Sequence, residues 1–271
     1  MKARGYDDER WWETEEGRRW RRGEGTAEGP KSDGRAFRKR IQHDFGPVRD
    51  WHREGRITSK QADDWETISK MSDAEFEALL SEWYPAGRQT QPKSWHDPAF
   101  NHPSQPVVGV CWYEVRAYCA WLSGQSRRTF RLPTGAEWEA AARRRSARKR
   151  AKEGRTYAWG DTFSETRCNT FESHVRGTTP IGVFPAGDTP EGLVDMTGNV
   201  WEWTGSAYRA YPYDPDDGRE ATEAGDVRRV VRGGSWLLNR HDARASYRGY
   251  VHPVNRHDDL GFRVVCVSPI R

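Results

Sequence analysis

Three short strings constrain this chain more than anything else in it: GLVDMTGNVWEW at Gly192–Trp203, RVVRGGSW at Arg229–Trp236 and GFRVV at Gly261–Val265. Each alone is common, so their shared order and spacing carry the information. All three set glycine close to Trp, Phe or Val, which suits turns closing on a packed interior. The rest of the composition agrees. The hydrophobic fraction is only 35%, yet there are 14 Trp, 10 Tyr and 9 Phe. Aromatic residues bury large areas and keep a polar tip, so they can build a core from loops as well as from helices. With 26 Gly and 15 Pro, many turns and limited regular structure are expected. The 271 residues are enough for a real core, in one large domain or two small ones.

Charge excludes more than it suggests. The 44 basic and 40 acidic residues leave a net charge of +4, too balanced to argue for nucleic-acid binding. The one strongly basic run, Arg143–Arg150, is expected to be a solvated helix end, because a helix C-terminus favours cations. The four cysteines, Cys111, Cys119, Cys168 and Cys266, fit neither CxxC metal pairs nor a disulfide scaffold. MKARGYDDERWW has no apolar run, so no secretory leader is expected, and no stretch is long and apolar enough for a membrane span. A cytoplasmic protein with reduced thiols is the expectation.

Helical signals are clear in two places. Ser72–Glu75 forms a capping box ahead of Phe76, Leu79, Leu80 and Trp83 at helical spacing, and a second helix is expected over Ser59–Lys70. Further on, PVVGV from Pro106 reads as a short buried strand. Trp112–Leu122 then places Val115, Cys119 and Leu122 on one helical face, and Thr134 with Glu137 caps another helix running to about Arg144.

Taken together, the three strings resemble the formylglycine-generating (sulfatase-modifying factor) family, a branch of the C-type-lectin-like fold. The resemblance implies one α+β domain over 1–271, loop-rich and with limited regular secondary structure. GYDDERWWETEEGRRWRR at residues 5–22 is similar to an interior piece of that family, where a Trp-rich helix precedes a QPxxW loop. Here the loop arrives only at Gln91–Trp95, so residues of about 24–88 read as a helical insertion. The family's usual first strand and helix would lie upstream of the GYDD segment. They are expected to be lost or to come from elsewhere, such as a partner chain, and the edge left unpaired would invite pairing.

The family's copper-dependent enzymes carry two cysteines after RGGS, and soft thiolates suit Cu(I). Those positions fall on Leu238 and Ala243, so no copper and no catalysis are expected. Cys266, beyond the GFR strand, is expected in or beside the core. The family's iron-dependent sulfoxide synthases use a His-x3-His-x-Glu pattern that is absent here; His43 and His52 stand alone as surface residues. A calcium site survives the carry-over, on Asp195, Gly198, Val200 and Glu202, whose hard oxygen donors sit on a tight glycine turn. A second family site would fall on Asn169, Thr170, Ser173 and Val175, with Ser where the family has Asp, and is expected to be weak.

The stretch Leu237–Leu260, LLNRHDARASYRGYVHPVNRHDDL, shows neither helical nor strand periodicity. Its candidate ligand-binding residues are Leu237, Leu238, Asn239, Asp242, Tyr247, Gly249, Tyr250, Val251, His257 and Asp258. Tyr and small polar residues give contact area at low entropic cost. The chain is also similar to variable proteins of diversity-generating retroelements, in which adenines of AAC codons are randomised. Such codons cannot yield Trp, Met, Gln, Lys or Glu, and none of these occurs in Leu237–Leu260. A diversified binding surface, a fixed one and plain scaffold all remain open. The expected function is a non-catalytic module that binds a protein or other ligand at 237–259. The alternatives are an oxidoreductase with unconventional ligands and a subunit completed by a partner.

Overall fold

The computed structural model describes residues 5–144, 154–221 and 227–267. Most of the basic run Arg143–Arg150 therefore lies outside the described residues. By packing the chain falls into two units, residues 22–88 and residues 1–21 with 89–271. The segment read as an insertion falls within the first of these. No described helix is long and apolar enough to cross a membrane.

The 22–88 unit holds α2 (Glu28–His43), α3 (Gly46–Arg53), α4 (Ser59–Lys70) and α5 (Asp73–Trp83). Two capping boxes start α4 and α5: Thr58 with Gln61, and Ser72 with Glu75. Ile68, Phe76 and Leu80 form its core. The Phe37 ring stacks on Trp51 at 6.0 Å and meets Trp65 edge-on at 4.5 Å. Arg38 of α2 is buried, and its guanidinium donates to the carbonyls of Ile68 and Met71 and to Asp73. That fastens α2 to the α4–α5 turn. Trp83, on the expected apolar face of α5, is 42% exposed.

The larger unit starts with α1 (Glu15–Arg22) and continues with α6 (Trp112–Ser126), β1 (Thr129–Arg131) and α7 (Gly135–Arg143). Then come β2 (Trp201–Ala207), β3 (Arg229–Arg232), β4 (Gly249–Val251), β5 (Leu260–Phe262) and β6 (Val265–Val267). A four-stranded sheet has the order β4-β3-β2-β5, with β2 parallel to β5 and its other pairs antiparallel. β1 and β6 form a separate antiparallel pair. This is the mixed α+β layout that the sequence implies.

Tryptophan holds the interior together. Trp112, Trp138 and Trp203 are fully buried, and each indole N–H finds an acceptor: Thr204 O at 2.9 Å, Glu202 Oε2 at 2.6 Å and Val110 O at 2.9 Å. Two buried arginines of β3 thread the same region. Arg229 lies 3.9 Å from the Trp112 ring centre and donates to Gly205 O, while Arg232 donates to Glu139 at 2.7 Å. Glu114, buried in α6, accepts from Cys111 N, Tyr6 Oη and Arg256. It ties the N-terminal segment and the C-terminal stretch to one helix start.

One local expectation needs correction. Val108 and Val110 of the PVVGV segment are buried, but the segment joins no sheet. Gly109, at φ +69°, donates to His257 O and accepts from Lys93 N, so single bonds to separate loops replace a strand ladder.

Candidate functional site

The two positions where the resemblance places copper ligands contain no sulfur: they are Leu238 and Ala243. Ala243 is fully buried, and a Cβ on Gly234, at φ +73°, would come within 2.8 Å of the Ala243 Cα. Leu238 packs against the main core. Cys266 corrects a sequence expectation: it is exposed, on β6 opposite Phe130. β6 pairs with β1 in a sheet apart from the four-stranded one, and Cys266 and its neighbour Val267 are both exposed there. Cys119 and Cys168 are buried, and burial pushes both thiols up to about 12, away from the thiolate that ligates metal.

The calcium residues are drawn together, around an arginine. Asp195, Gly198 and Asn199 all have positive φ, and a side chain at Gly198 would collide with the Asn169 carbonyl. That tight turn faces Glu202 at the start of β2. Between them lies Arg263: its Nε and Nη2 each reach the Glu202 carboxylate at 2.5 Å. Nη2 also reaches Val194 O at 3.2 Å and Asp195 O at 3.4 Å. Glu202 additionally accepts from Trp138, and Asp195 Oδ2 accepts from Gly182 N at 2.9 Å. Calcium takes six or more oxygens with open carboxylate edges. As placed, these residues do not fit the ion, because a guanidinium already engages both Glu202 oxygens. At the second family site, Ser173 donates to Asn169 Oδ1 and to Thr170 O, so its oxygens are paired among themselves.

The expected binding residues divide by exposure. Leu237, Tyr250, His257 and Asp258 face solvent. Leu238, Tyr247 and Val251 turn partly inward onto the core, with Tyr247 6.0 Å from the Trp201 ring. Asn239 and Asp242 shape a turn, Asn239 O accepting from Asp242 N at 3.0 Å. Burial and the neighbouring Asp242 push the Tyr247 hydroxyl up. Gly249 is required on β4, since a Cβ there would come 2.8 Å from Val231 Cγ2. β4 is an edge strand of its sheet.

Sequence reasoning missed part of this surface. The Tyr250 ring is 4.5 Å from Tyr208, and the Arg248 guanidinium lies 5.0 Å from the Tyr208 ring and 3.8 Å from Tyr211. Three exposed tyrosines and an arginine thus form one platform. The Tyr-rich run Ala207–Tyr213 (AYRAYPY) was the available signal. Arg263 was missed too, although it ends the GFR string. A solvent-open cleft of about 720 Å³ beside Arg240 had no sequence signal.

A family profile described as "Sulfatase-modifying factor enzyme 1-like domain" matches residues 53–267. The chain belongs to this family. Among its relatives is the "Inactive C-alpha-formylglycine-generating enzyme 2" of Bos taurus, 37% identical over 178 residues, covering 60% of this chain and 50% of that protein. Another is the "Hercynine oxygenase" of Mycolicibacterium thermoresistibile, 33% identical over 195 residues, covering 67% of this chain and 40% of that one. The chain thus spans half or less of the length of these curated relatives. Among solved structures, PvdO from Pseudomonas aeruginosa is similar at TM-score 0.51 and 28% identity, covering 61% of this chain and 63% of that one. The Treponema denticola variable protein 1 is similar at TM-score 0.51 and 23% identity, covering 65% and 74%, a likeness of fold alone. The C-type-lectin-like α+β fold of the family is therefore the fold of this chain.

Proposed function

We propose that this protein is a non-catalytic binding module on the family scaffold, with its contact surface in residues 237–259 extended by Tyr208 and Tyr211. The observation that carries this reading is the pair Leu238 and Ala243, which stand where the family's copper enzymes have thiols: Leu238 packs against the core and Ala243 is fully buried. A relative that is itself named inactive supports it. Its exposed tyrosines offer large rigid contact faces, and Arg248 stacked between Tyr208 and Tyr211 holds them in place. A protein partner suits a platform of exposed aromatic rings. All four cysteines are free, which supports a reducing, cytoplasmic setting.

Diversification of this surface is part of the proposal. A reverse transcriptase beside the gene, with a second copy of the Leu237–Leu260 coding stretch differing at adenines, would establish it. One observation favours a rival oxidoreductase reading, namely the similarity to a hercynine oxygenase. Copper and iron titrations, each with oxygen-consumption measurement on a cysteine-containing peptide and on hercynine, separate the two. No turnover is expected; tight binding of either metal together with oxidation of either substrate would overturn the non-catalytic reading.

A further inference from the structure

We infer that the cleft beside Arg240 is a second contact site, which takes a lysine or arginine side chain from a partner polypeptide. This inference rests on the binding-module reading and adds the chemistry of the partner. The cleft encloses about 720 Å³ and is open to solvent, within the size range of ligand pockets. Phe163, Phe184 and Val175 give it apolar walls, while Glu165 and Glu172 supply two carboxylates.

Glu172 is fixed for this work. Its Oε1 accepts the Arg240 backbone N–H at 2.9 Å and its Oε2 accepts the Thr170 hydroxyl at 2.9 Å. A carboxylate held by two neutral donors has a set orientation, so a cation arriving there forms a charge-assisted bond without reordering the site. Among the described residues no basic side chain forms an ion pair with Glu165 or Glu172. Arg176 pairs with neither carboxylate: its guanidinium lies 4.0 Å from the Phe171 ring and 3.2 Å from Nδ1 of His174, which itself lines the cleft. Aromatic walls beside a carboxylate suit the long apolar stem and charged head of Lys or Arg.

A polypeptide source follows from continuity. Phe171 N donates to Leu238 O at 2.9 Å, so the chain forming the cleft wall is joined to the turn of the proposed surface. Ile181 and Val183, both exposed, lie in the segment leading into Phe184. One partner chain can therefore cover an apolar strip and place a basic side chain in the cleft. Arg240 also lines the cleft and opposes any cation there.

Calorimetric titration with the blocked pentapeptides AVRVA, AVKVA and AVQVA, and with propylguanidine, tests this on the full chain. The basic peptides should bind about tenfold more tightly than AVQVA, the scale of one charge-assisted bond. Glu172→Gln, which keeps an acceptor for the Arg240 N–H, should abolish that preference, and Arg240→Gln should strengthen it. If Glu172→Gln does not fold by circular dichroism, the exposed Glu165→Gln variant should weaken the preference instead. No binding by the basic peptides, equal binding by AVQVA, or a preference that survives the carboxylate variants would each overturn the inference. Propylguanidine binding as tightly as AVRVA would overturn the polypeptide source. These outcomes leave the copper and iron assays untouched, so failure here and failure of the non-catalytic reading are distinct.

Discussion

Arg263 does at the residue scale what a bound cation would do: it neutralises Glu202, which is otherwise buried, and gathers the carbonyls of the 194–195 turn. Removing one partner of a buried pair leaves an uncompensated charge, so Arg263→Ala should cost about 3 kcal/mol in chemical denaturation. Calcium should leave the melting temperature of the unaltered protein unchanged and raise that of Arg263→Ala, whose carboxylate edge is freed. A rise of several degrees in the unaltered protein would show that the ion displaces the guanidinium. The thiols give a second residue-scale test. Cys266 is exposed, whereas Cys111, Cys119 and Cys168 are buried. Mass spectrometry after native treatment with iodoacetamide should find a single adduct, on Cys266. A second adduct before unfolding would contradict the burial of the others.

Between elements, the start of α7 is held by a pair that reports on pH. Glu137 caps α7 with Thr134 and receives Arg131 from β1, at 2.6 and 2.7 Å. The Arg131 hydrogen bonds hold its carboxyl down at about 2, from an ordinary 4.5. A carboxyl depressed in the folded state adds stability that is fully present above the unfolded value. That stability is lost as pH falls from about 4.5 towards about 2. Thermal melts across this window should show a shallower acid decline for Glu137→Gln than for the unaltered protein; identical slopes would remove the pair from the account. β4 has a different constraint. Gly249→Ala places a methyl against Val231 on the neighbouring strand, and overpacking of this kind should cost about 1–3 kcal/mol. Denaturant titration checks the direction.

At the scale of the whole molecule, two cores are built by different means. The larger unit relies on Trp indoles that bury area and hydrogen-bond to backbone, whereas the 22–88 unit relies on capped helices around Ile68, Phe76 and Leu80. So small a core sits near the lower limit for independent folding. A fragment of residues 22–88 should show helical circular dichroism with a low, broad melting transition. A fully unfolded fragment would mean that its helices depend on the rest of the chain.

Amino-acid order alone fixed the family strings, the capping boxes at Ser72 and Thr134, and the replacement of two sulfur positions by Leu238 and Ala243. These are local or identity-level facts, so no packing was needed to read them. Tertiary structure decided the others. PVVGV resembles a strand by composition, yet its neighbours are single loop bonds. Cys266 is exposed on β6, which pairs with β1 in a sheet of its own. Tyr208 and Tyr211 join Tyr250 only because β2 and β4 flank β3, and Arg263 meets Glu202 only because β5 runs beside β2. Each of these depends on which distant segments the sheet order places together, and no local pattern encodes that order.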